Sequence, residues 1–352
     1  MPMKRFLNIG VIGVGTIGKH HIQGYTDNPK AKVVAISDVN TAVAKSVASD
    51  FGVKKFLKDY RDLLDLSKVD AVSICTPPFA HAKIACDAAK AGKHVLCEKP
   101  MAMNADEAEK MVEACKEAGV KLGICSSRSR FGAAVESARE YVQSGKLGKV
   151  YYVRSSSFRR LGRPGLDILK ESKWFLDSSK AGGGSLIDIG CYDLDGILYI
   201  LGGPQPVAVS AMTFRGVGDQ PTADVVYDVE EHASLMVRFE DGLVATVETA
   251  WASNMDRGEG IILFGTKGGL KVDGFTFYTE QEGKQVSIKT ELPERWGERF
   301  KFIDDFLTAC LEDKSPKTPG EDGLKVMQII SMAYLSAELR REVTLKDLGT
   351  HV

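Results

Sequence analysis

The stretch GVGTIG, at residues 13–18, constrains the fold more than any other part of the sequence. It follows an apolar run typical of a strand and opens a helical pattern, and Asp38 stands 20 residues beyond Gly18 at the end of a second strand-like run. In this motif Gly13 permits a tight turn, Gly15 lets the backbone approach a pyrophosphate, and Gly18 allows close helix packing. The order of strand, glycine turn and helix therefore predicts a dinucleotide-binding unit.

The residues around this turn also indicate which dinucleotide binds. The first helical residues, Thr16 and Ile17, offer backbone N–H groups and a partial positive charge to phosphates. Asp38 is suited to accept hydrogen bonds from the adenosine ribose hydroxyls and to repel a 2′-phosphate. No basic residue follows it directly, because Val39 and Asn40 come next. We therefore expect NAD as the cofactor, with NADP as the alternative; the motif alone also leaves open a glycine turn in another kind of α/β domain.

The pattern along the chain predicts two domains. Up to about residue 125, short β-rich runs alternate with helical patterns, which predicts a Rossmann domain of α/β class with a parallel sheet. From residue 126 to 352, runs with a two-residue period are separated by turn signals such as EDG and KGG. These runs predict an α+β domain with a large, mainly antiparallel open sheet, whose final helix we expect to pack back on the first domain.

Composition excludes several classes of function. The chain has 352 residues and a formal net charge of −1, and it contains no block of like charges, so we expect neither a nucleic-acid partner nor a membrane partner. No apolar run approaches the ~18 residues of a membrane span. The seven cysteines form no Cys-x-x-Cys pair, which favours reduced thiols in a cytoplasmic protein. We expect no metal site, since the adjacent pair His20 and His21 has no cysteine or carboxylate cluster beside it in the sequence.

Four blocks of the sequence together carry a resemblance to a known family. They are the glycine motif, TPP at residues 76–78 followed by His81, GKHVLCEKP at 92–100, and GGGSLIDIGCYDLD at 182–195. With these blocks the chain resembles the glucose-fructose oxidoreductase, inositol dehydrogenase and rhizopine catabolism (Gfo/Idh/MocA) family of NAD(P)-dependent oxidoreductases over nearly its whole length. The combination is far more specific than any one block.

The resemblance implies roles for residues of the first domain. It assigns Lys99, in the Glu-Lys-Pro motif, to the oxygen of the reacting carbon, and it leads us to expect a cis bond between Lys99 and Pro100. Cofactor-binding positions after two neighbouring strands are implied for Thr76, Pro77, Pro78, His81 and Glu98.

In the second domain the resemblance points to Asp188 and Tyr192. Asp188 matches the aspartate of the family's D-x-G-x-H helix, and Tyr192 stands where most members have the histidine, as in a tyrosine-type sub-branch of the family. On a helix these residues and Asp195 share one face. A tyrosine, with a pKa of about 10, needs a shift of about 2 to 3 units to act as a base near neutral pH. The positive charges of Lys99 and the nicotinamide ring can supply that shift.

We therefore predict an oxidoreductase that transfers hydride between nicotinamide and a secondary hydroxyl or ketone of a sugar, cyclitol or related polyol. In this hypothesis Tyr192 is the acid/base, Lys99 positions the substrate oxygen, and Asp188 orients the sugar hydroxyls or the lysine. A core role for Tyr192 and a structural role for Asp188 stay open as alternatives, and Asp195 is either solvated or in contact with substrate. The resemblance also implies a homodimer or homotetramer formed through the open sheet face. The rival function is a non-catalytic, dinucleotide-sensing regulator of the same fold.

Several other polar residues are open to more than one interpretation. Trp174 could stack on a ligand or pack in an interface. The segment DVVYDVEEH, at residues 224–232, is interpreted as a solvated loop and strand entry. A group of arginines is better explained as flexible surface residues than as a site for an acidic substrate: Arg128, Arg130, Arg159, Arg160 and Arg163.

Overall fold

The computed structural model describes residues 6–221, 225–292 and 300–349. The chain forms two compact units. The first comprises Met1–Arg128 and Gly297–Leu324, and the second comprises Ser129–Trp296 and Lys325–Val352. In the part of the chain that the structure describes, no helix is both long and apolar enough to cross a bilayer.

The first unit is built on a parallel sheet. Its six strands, counted in the described residues, are β1 Leu7–Ile12, β2 Ala31–Ser37, β3 Phe56–Leu57, β4 Ala71–Ile74, β5 His94–Cys97 and β6 Leu122–Ile124. The helices between them are α1 Thr16–Thr26, α2 Thr41–Asp50, α3 Tyr60–Leu64, α4 His81–Lys90 and α5 Ala105–Glu117. All pairs of neighbouring strands are parallel. The predicted α/β class is confirmed.

The strand order places the glycine turn at the functional edge of this sheet. The order is β3-β2-β1-β4-β5-β6, so the direction of winding reverses between β1 and β4. Ligands of open α/β sheets bind at the carboxyl ends of the strands beside this reversal. The glycine turn follows β1, and Thr76 and Pro77 follow β4. Both loops therefore lie at that edge because their strands are direct neighbours.

The second unit is dominated by a mixed sheet, with a few helices. Nine of its described strands pair in the order β14-β13-β12-β11-β7-β10-β9-β8-β15. They are β7 Val150–Phe158, β8 Pro206–Phe214, β9 His232–Phe239, β10 Val244–Ala250, β11 Gly260–Gly265, β12 Gly269–Lys271, β13 Thr276–Gln281, β14 Lys284–Lys289 and β15 Val343–Thr344. Only β7 and β10 pair in parallel among these. The expected mainly antiparallel sheet is confirmed.

Helices and short helical turns complete the chain. The α-helices are α6 Ala133–Gln143, α7 Ser178–Ala181, α8 Cys191–Leu201, α9 Lys301–Leu311, α10 Gly320–Leu339 and α11 Leu345–Leu348. Three 3₁₀ turns span Pro78–Ala80, Cys125–Phe131 and Lys173–Leu176, and one π-helical turn spans Leu186–Gly190.

A late segment of the chain returns to the first unit. Asp304 of α9 accepts hydrogen bonds from the side chains of Asn28 and Lys30, at 2.8 and 2.9 Å. At the start of α10, Gly323 packs so closely on β6 that a Cβ there would lie 3.0 Å from a side-chain carbon of Ile124. The first turns of α10 thus belong to the first unit and the rest of this helix to the second.

Alternation along the strands separates the two faces of the larger sheet. In β9, Ala233, Leu235 and Val237 are buried, whereas Met236 between them is exposed. Successive side chains of a strand point to opposite faces, so one face forms the core. The strand register places Met212 and Met236 on the same outward face, and both are exposed.

Candidate active site

The glycine turn has no room for side chains at two of its positions. Gly13 has a φ of +83°, and a Cβ there would lie 2.8 Å from the carbonyl oxygen of Cys75. A Cβ on Gly18 would overlap the carbonyl oxygen of Gly13. Glycine is therefore required at Gly13 by the left-handed backbone, and at Gly18 by the close approach of α1 to the turn.

Gly15 faces open space instead. It precedes α1 with an extended backbone, and a Cβ there would meet no heavy atom of the described chain within 4 Å. Within the same described part, no side chain caps the helix. The first-turn residues, which include Thr16 and Ile17, therefore present an N-terminus of the kind that binds phosphate. This arrangement fits the pyrophosphate of a dinucleotide.

Asp38 follows β2 and is held against the glycine turn. Its Oδ2 accepts a hydrogen bond from the backbone N–H of Val14, and its Oδ1 accepts one from Asn40, both at 2.9 Å. The side chain remains half-exposed. Because an ionised carboxylate can accept about four hydrogen bonds, capacity is left for ribose hydroxyls.

His81 joins the loop after β4 to the segment after β5. Its Nε2 lies 2.7 Å from the carbonyl oxygen of Thr76, and its Nδ1 lies 2.8 Å from that of Pro100. The ring is fully buried, and this burial lowers its pKa against the opposing effect of the two carbonyls. Any contribution of His81 to cofactor binding therefore passes through the loops that it joins.

The loop after β4 contains one buried polar atom that is available to hydrogen-bond a ligand. Thr76 Oγ1 is buried and has no hydrogen-bond partner among the described residues. Buried hydroxyls normally find a partner, so a bound polar group would satisfy it. Pro77 and Pro78 follow, and Pro78 begins the 3₁₀ turn ahead of α4.

Glu98 is a buried carboxylate directly after β5. Its Oε1 lies 3.0 Å from His21 Nε2 and 3.6 Å from a guanidinium nitrogen of Arg128, and its Oε2 accepts the backbone N–H of Lys99 at 3.0 Å. Burial acts to raise the pKa of Glu98. The hydrogen bond from His21, the charge of Arg128 and the Lys99 N–H outweigh burial and hold this pKa at about 2. The Lys99–Pro100 bond is cis.

His21, Glu98 and Cys125 form the one cluster among the described residues that could hold a metal ion by geometry, with ligand atoms within 4.8 Å of one another. Its chemistry favours hydrogen bonding over metal binding. The Glu98 carboxylate is occupied by His21 and Lys99, and the positive charge of Arg128 would oppose a cation. Burial also raises the pKa of the Cys125 thiol well above its usual range, so this residue stays protonated.

In the second unit, Glu230 fixes the glycine-led segment ahead of Asp188. Its carboxylate accepts the backbone N–H groups of Gly184 and Leu186 at 2.8 and 2.9 Å, and the hydroxyl of Tyr334 at 3.1 Å. A Cβ on Gly184 would overlap the backbone carbonyl of Glu230. The interpretation of residues 224–232 as a solvated loop is wrong at this point, because Glu230 and Glu231 are both buried.

Asp188 lies in the π-helical turn, which continues directly into α8. Such turns are frequent at functional sites. Its Oδ2 accepts a hydrogen bond from Trp251 Nε1 at 2.9 Å and lies 3.9 Å from a guanidinium nitrogen of Arg159. Asp188 is buried, and Tyr192, one turn later in α8, is half-buried. Lys99 belongs to the first unit, whereas Asp188 and Tyr192 belong to the second.

Asp195 has a structural partner. Its two oxygens accept hydrogen bonds from Nε and Nη2 of Arg130, at 2.9 and 2.6 Å, in a fully buried pair. Arg163 is likewise buried against Asp167 and Glu231. These two arginines therefore hold the second unit together and are not flexible surface residues.

Arg160 and Trp174, which the sequence left open, lie nearer the surface. Arg160 forms an exposed ion pair with Asp256. Trp174 stacks on Phe175 with ring centroids 3.8 Å apart and is half-buried. Asp193, which the sequence did not single out, accepts a hydrogen bond from the Ser157 hydroxyl at 3.0 Å. Burial raises the pKa of Asp193 to about 6.

Comparison with known proteins identifies relatives along both units. Residues 7–125 match the family described as "Oxidoreductase family, NAD-binding Rossmann fold", and residues 135–271 match the "GFO/IDH/MocA C-terminal domain". The chain is 28% identical to D-glucoside 3-dehydrogenase of Escherichia coli, covering 96% of this chain and 97% of that protein. It is 30% identical to 1,5-anhydro-D-fructose reductase of Ensifer adhaerens, covering 90% and 91%.

A relative named for inositol and a solved structure extend the comparison. Myo-inositol 2-dehydrogenase of Thermotoga maritima is 28% identical, covering 97% of this chain and 99% of that protein. The structure of levoglucosan dehydrogenase in complex with NADH and L-sorbose is similar with a TM-score of 0.84 and 26% identity, covering 96% of this chain and 98% of that one.

Proposed function

This chain belongs to the GFO/IDH/MocA oxidoreductase family, in which the matched N-terminal part is an NAD-binding Rossmann fold, and from that premise we propose a specific reaction. The protein transfers hydride between nicotinamide and a secondary hydroxyl or ketone of a sugar, cyclitol or related polyol. The observation that carries this proposal is the similarity, over at least nine-tenths of each chain, to relatives named for sugar and inositol oxidation or reduction.

The residues of the first unit fit the cofactor. Gly15 leaves open space at the N-terminus of α1, Asp38 is held beside the turn, and the buried Thr76 Oγ1 is in need of a partner in the described part of the chain. When bound, the nicotinamide supplies the hydride donor or acceptor. The residues proposed to hold it are Gly13, Gly15, Thr16, Ile17, Gly18, Asp38, Thr76, Pro77, Pro78, His81 and Glu98.

Tyr192 is the proposed acid/base. Its hydroxyl takes the proton of the substrate hydroxyl in oxidation and returns a proton to the ketone oxygen in reduction. An unperturbed tyrosine pKa of about 10 suits the acid role directly, and a nearby cation favours the base role by stabilising the phenolate. The half-buried side chain of Tyr192 supports this assignment, since a proton-transfer group must reach a ligand.

Lys99 and Asp188 have proposed positioning roles. Lys99 follows the carboxyl end of β5 and is half-buried as a residue, and its ammonium group is suited to bind and polarise the substrate oxygen. Asp188 is proposed to orient the substrate hydroxyls. Trp251 and Arg159 both face Oδ2 of Asp188 and so fix the orientation of the carboxylate. This supports the proposed role, because an acceptor that is already oriented avoids the entropic cost of being ordered when substrate binds.

The outward face of the larger sheet supports association of the protein with itself. Met212, Phe214 and Met236 lie on the neighbouring strands β8 and β9 and are exposed on this face, and exposed apolar residues grouped in this way mark interaction sites. We propose a homodimer or homotetramer formed through it. Light scattering of the native protein, compared with Met236→Asp, should show a smaller mass for the variant; a monomeric native protein would contradict the proposal.

The reaction is tested by following the absorbance of reduced nicotinamide with purified protein. NAD and NADP should be supplied separately with a panel of sugars, cyclitols and polyols, and their reduced forms with the matching ketones. We expect turnover with at least one member and a preference for NAD. Cofactor binding without turnover of any compound would contradict the enzymatic function and favour a dinucleotide-sensing regulator.

A further inference from the structure

A chain of buried polar side chains runs from α1 to the Glu-Lys-Pro segment. The Tyr25 hydroxyl lies 2.8 Å from Ser73 Oγ, and Ser73 Oγ lies 2.9 Å from His21 Nδ1. His21 Nε2 lies 3.0 Å from Glu98 Oε1, and Glu98 Oε2 accepts the Lys99 backbone N–H at 3.0 Å. Tyr25, Ser73, His21 and Glu98 are all buried. The proposed reaction assigns no role to the first three.

The direction of these hydrogen bonds follows from the chemistry of the groups. An ionised Glu98 can only accept, so His21 Nε2 carries the proton and donates. In the neutral ring with its proton on Nε2, His21 Nδ1 is an acceptor. The Ser73 hydroxyl therefore donates to His21 Nδ1, and the Tyr25 hydroxyl donates to Ser73 Oγ. Burial raises the pKa of Tyr25 well above its usual range, which keeps that hydroxyl protonated. Each hydrogen bond in this series of side chains is then donated in the direction of Glu98.

This arrangement fixes the Glu98 carboxylate on both sides. One oxygen is held by His21, and the other holds the N–H of Lys99. Without His21, Glu98 Oε1 would keep only the Arg128 guanidinium, 3.6 Å away and beyond hydrogen-bond distance. Rotation of Glu98 would also release the backbone of Lys99, from which the side chain proposed to bind substrate departs.

We propose that His21, Ser73 and Tyr25 are positioning residues for the reaction: they lock Glu98 in the orientation in which it fixes the backbone of Lys99. The inference rests on the proposed function. Catalysis is sensitive to such placement, since a displacement of about 1 Å can cost about 100-fold in rate. The contacts proposed for Gly15 and Asp38 with the pyrophosphate and the ribose involve other atoms of the first unit, so loss of the network should lower kcat by a larger factor than it raises KM for NAD.

The test compares two amides at His21. In His21→Gln the side-chain nitrogen reaches a position close to Nε2 and can still donate to Glu98, whereas in His21→Asn the amide is too short to reach it. We expect kcat to fall about tenfold or more in His21→Asn and to recover largely in His21→Gln, with KM for NAD changing by a smaller factor than kcat in both. Ser73→Ala should give an intermediate loss and Tyr25→Phe the smallest, because each is further from Glu98.

A second readout does not depend on turnover. Hydrogen exchange at the Lys99 amide should accelerate in His21→Asn and stay near the native rate in His21→Gln, because only the first variant releases the Glu98 carboxylate. An unchanged exchange rate in His21→Asn would overturn the proposal. So would faster exchange with an unchanged kcat, or a stoichiometric metal ion in the native protein that is lost in His21→Gln.

The two proposals fail separately. If the native protein turns over no substrate, the proposed function is contradicted. The exchange of the Lys99 amide then still decides whether His21 holds Glu98 in place. Tyr25→Phe keeps the ring that fills the core, so its folding provides a reference if the His21 variants are unstable.

Discussion

Trp251 Nε1 donates a 2.9 Å hydrogen bond to Asp188 Oδ2 across 63 residues of sequence. The indole is fully buried, and its donor, with the guanidinium of Arg159 at 3.9 Å, compensates a carboxylate that has little contact with water. A structural role and a functional role for Asp188 are therefore compatible: the same bond that satisfies the carboxylate also sets its orientation.

Substitutions at these two positions should separate the roles. Trp251→Phe removes the donor and part of the core volume, so we expect the free energy of unfolding to fall by about 1–3 kcal/mol. Asp188→Asn keeps an oxygen that can accept from Trp251 and should cost less stability while lowering kcat about tenfold or more. Urea unfolding and steady-state kinetics measure the two effects. If kcat is the same in Asp188→Asn and in the native protein, the functional role of Asp188 is contradicted and only its structural role remains.

The glycine turn offers a matched pair of substitutions. Gly15→Ala places a methyl group in open space, so stability should change little, but it fills the volume proposed for the pyrophosphate. Gly18→Ala forces an overlap with the Gly13 carbonyl and should destabilise the protein by about 2 kcal/mol or more. Thermal unfolding and titration with NADH measure both. Unaltered NADH affinity in Gly15→Ala would show that phosphate does not approach this residue.

Charge at Asp38 should determine the choice of cofactor. Asp38→Asn keeps an acceptor for the Val14 or Asn40 N–H but removes the repulsion of a 2′-phosphate. We expect the ratio of kcat/KM with NAD to that with NADP to fall about tenfold or more, which corresponds to about 1.4 kcal/mol. A ratio that does not move would assign the selectivity to other residues of the turn.

Burial of Asp193 should make stability depend on pH. Its carboxyl has a pKa of about 6 in the folded protein, above the ordinary value of about 3.9. Between about pH 4 and 6 the folded state therefore binds more protons than the unfolded state, and stability falls as pH rises. Asp193→Asn should raise the free energy of unfolding by about 1–3 kcal/mol at pH 7 and by little at pH 4.

Urea unfolding at both pH values measures this difference. Glu280→Gln is a suitable control, because Glu280 is exposed on β13 and its substitution should have a small effect at either pH. A loss of stability in Asp193→Asn at pH 7 would contradict the account of a carboxylate destabilised by burial.

The sequence predicted the fold well where its periodicity was strong. The glycine motif and the apolar runs predict the helix at Thr16–Thr26 and the parallel sheet. The alternation of apolar and polar residues with a two-residue period predicts the hairpins of the larger sheet. The short elements β3 Phe56–Leu57 and α3 Tyr60–Leu64 were missed, because two to five residues are too few to display a period.

The candidate site was less predictable, because its partners are distant in sequence. His21 meets Glu98 77 residues away, and Glu230 meets Gly184 46 residues away. The acidic segment at residues 224–232 was predicted to be solvated because the sequence does not reveal the buried groups that Glu230 contacts. This is the reason for the wrong interpretation at Glu230. Local motifs predict which loops carry chemistry, whereas the buried groups that hold those loops could be identified only in three dimensions.

The most direct test of the account is the kcat of Tyr192→Phe on the best substrate of the panel. The variant keeps the aromatic ring and loses only the hydroxyl, so cofactor affinity and folding should match the native protein. We predict a fall in kcat of about 100-fold or more, with NADH binding unchanged. Turnover at the native rate would contradict the assignment of Tyr192 as the acid/base and return this residue to a packing role.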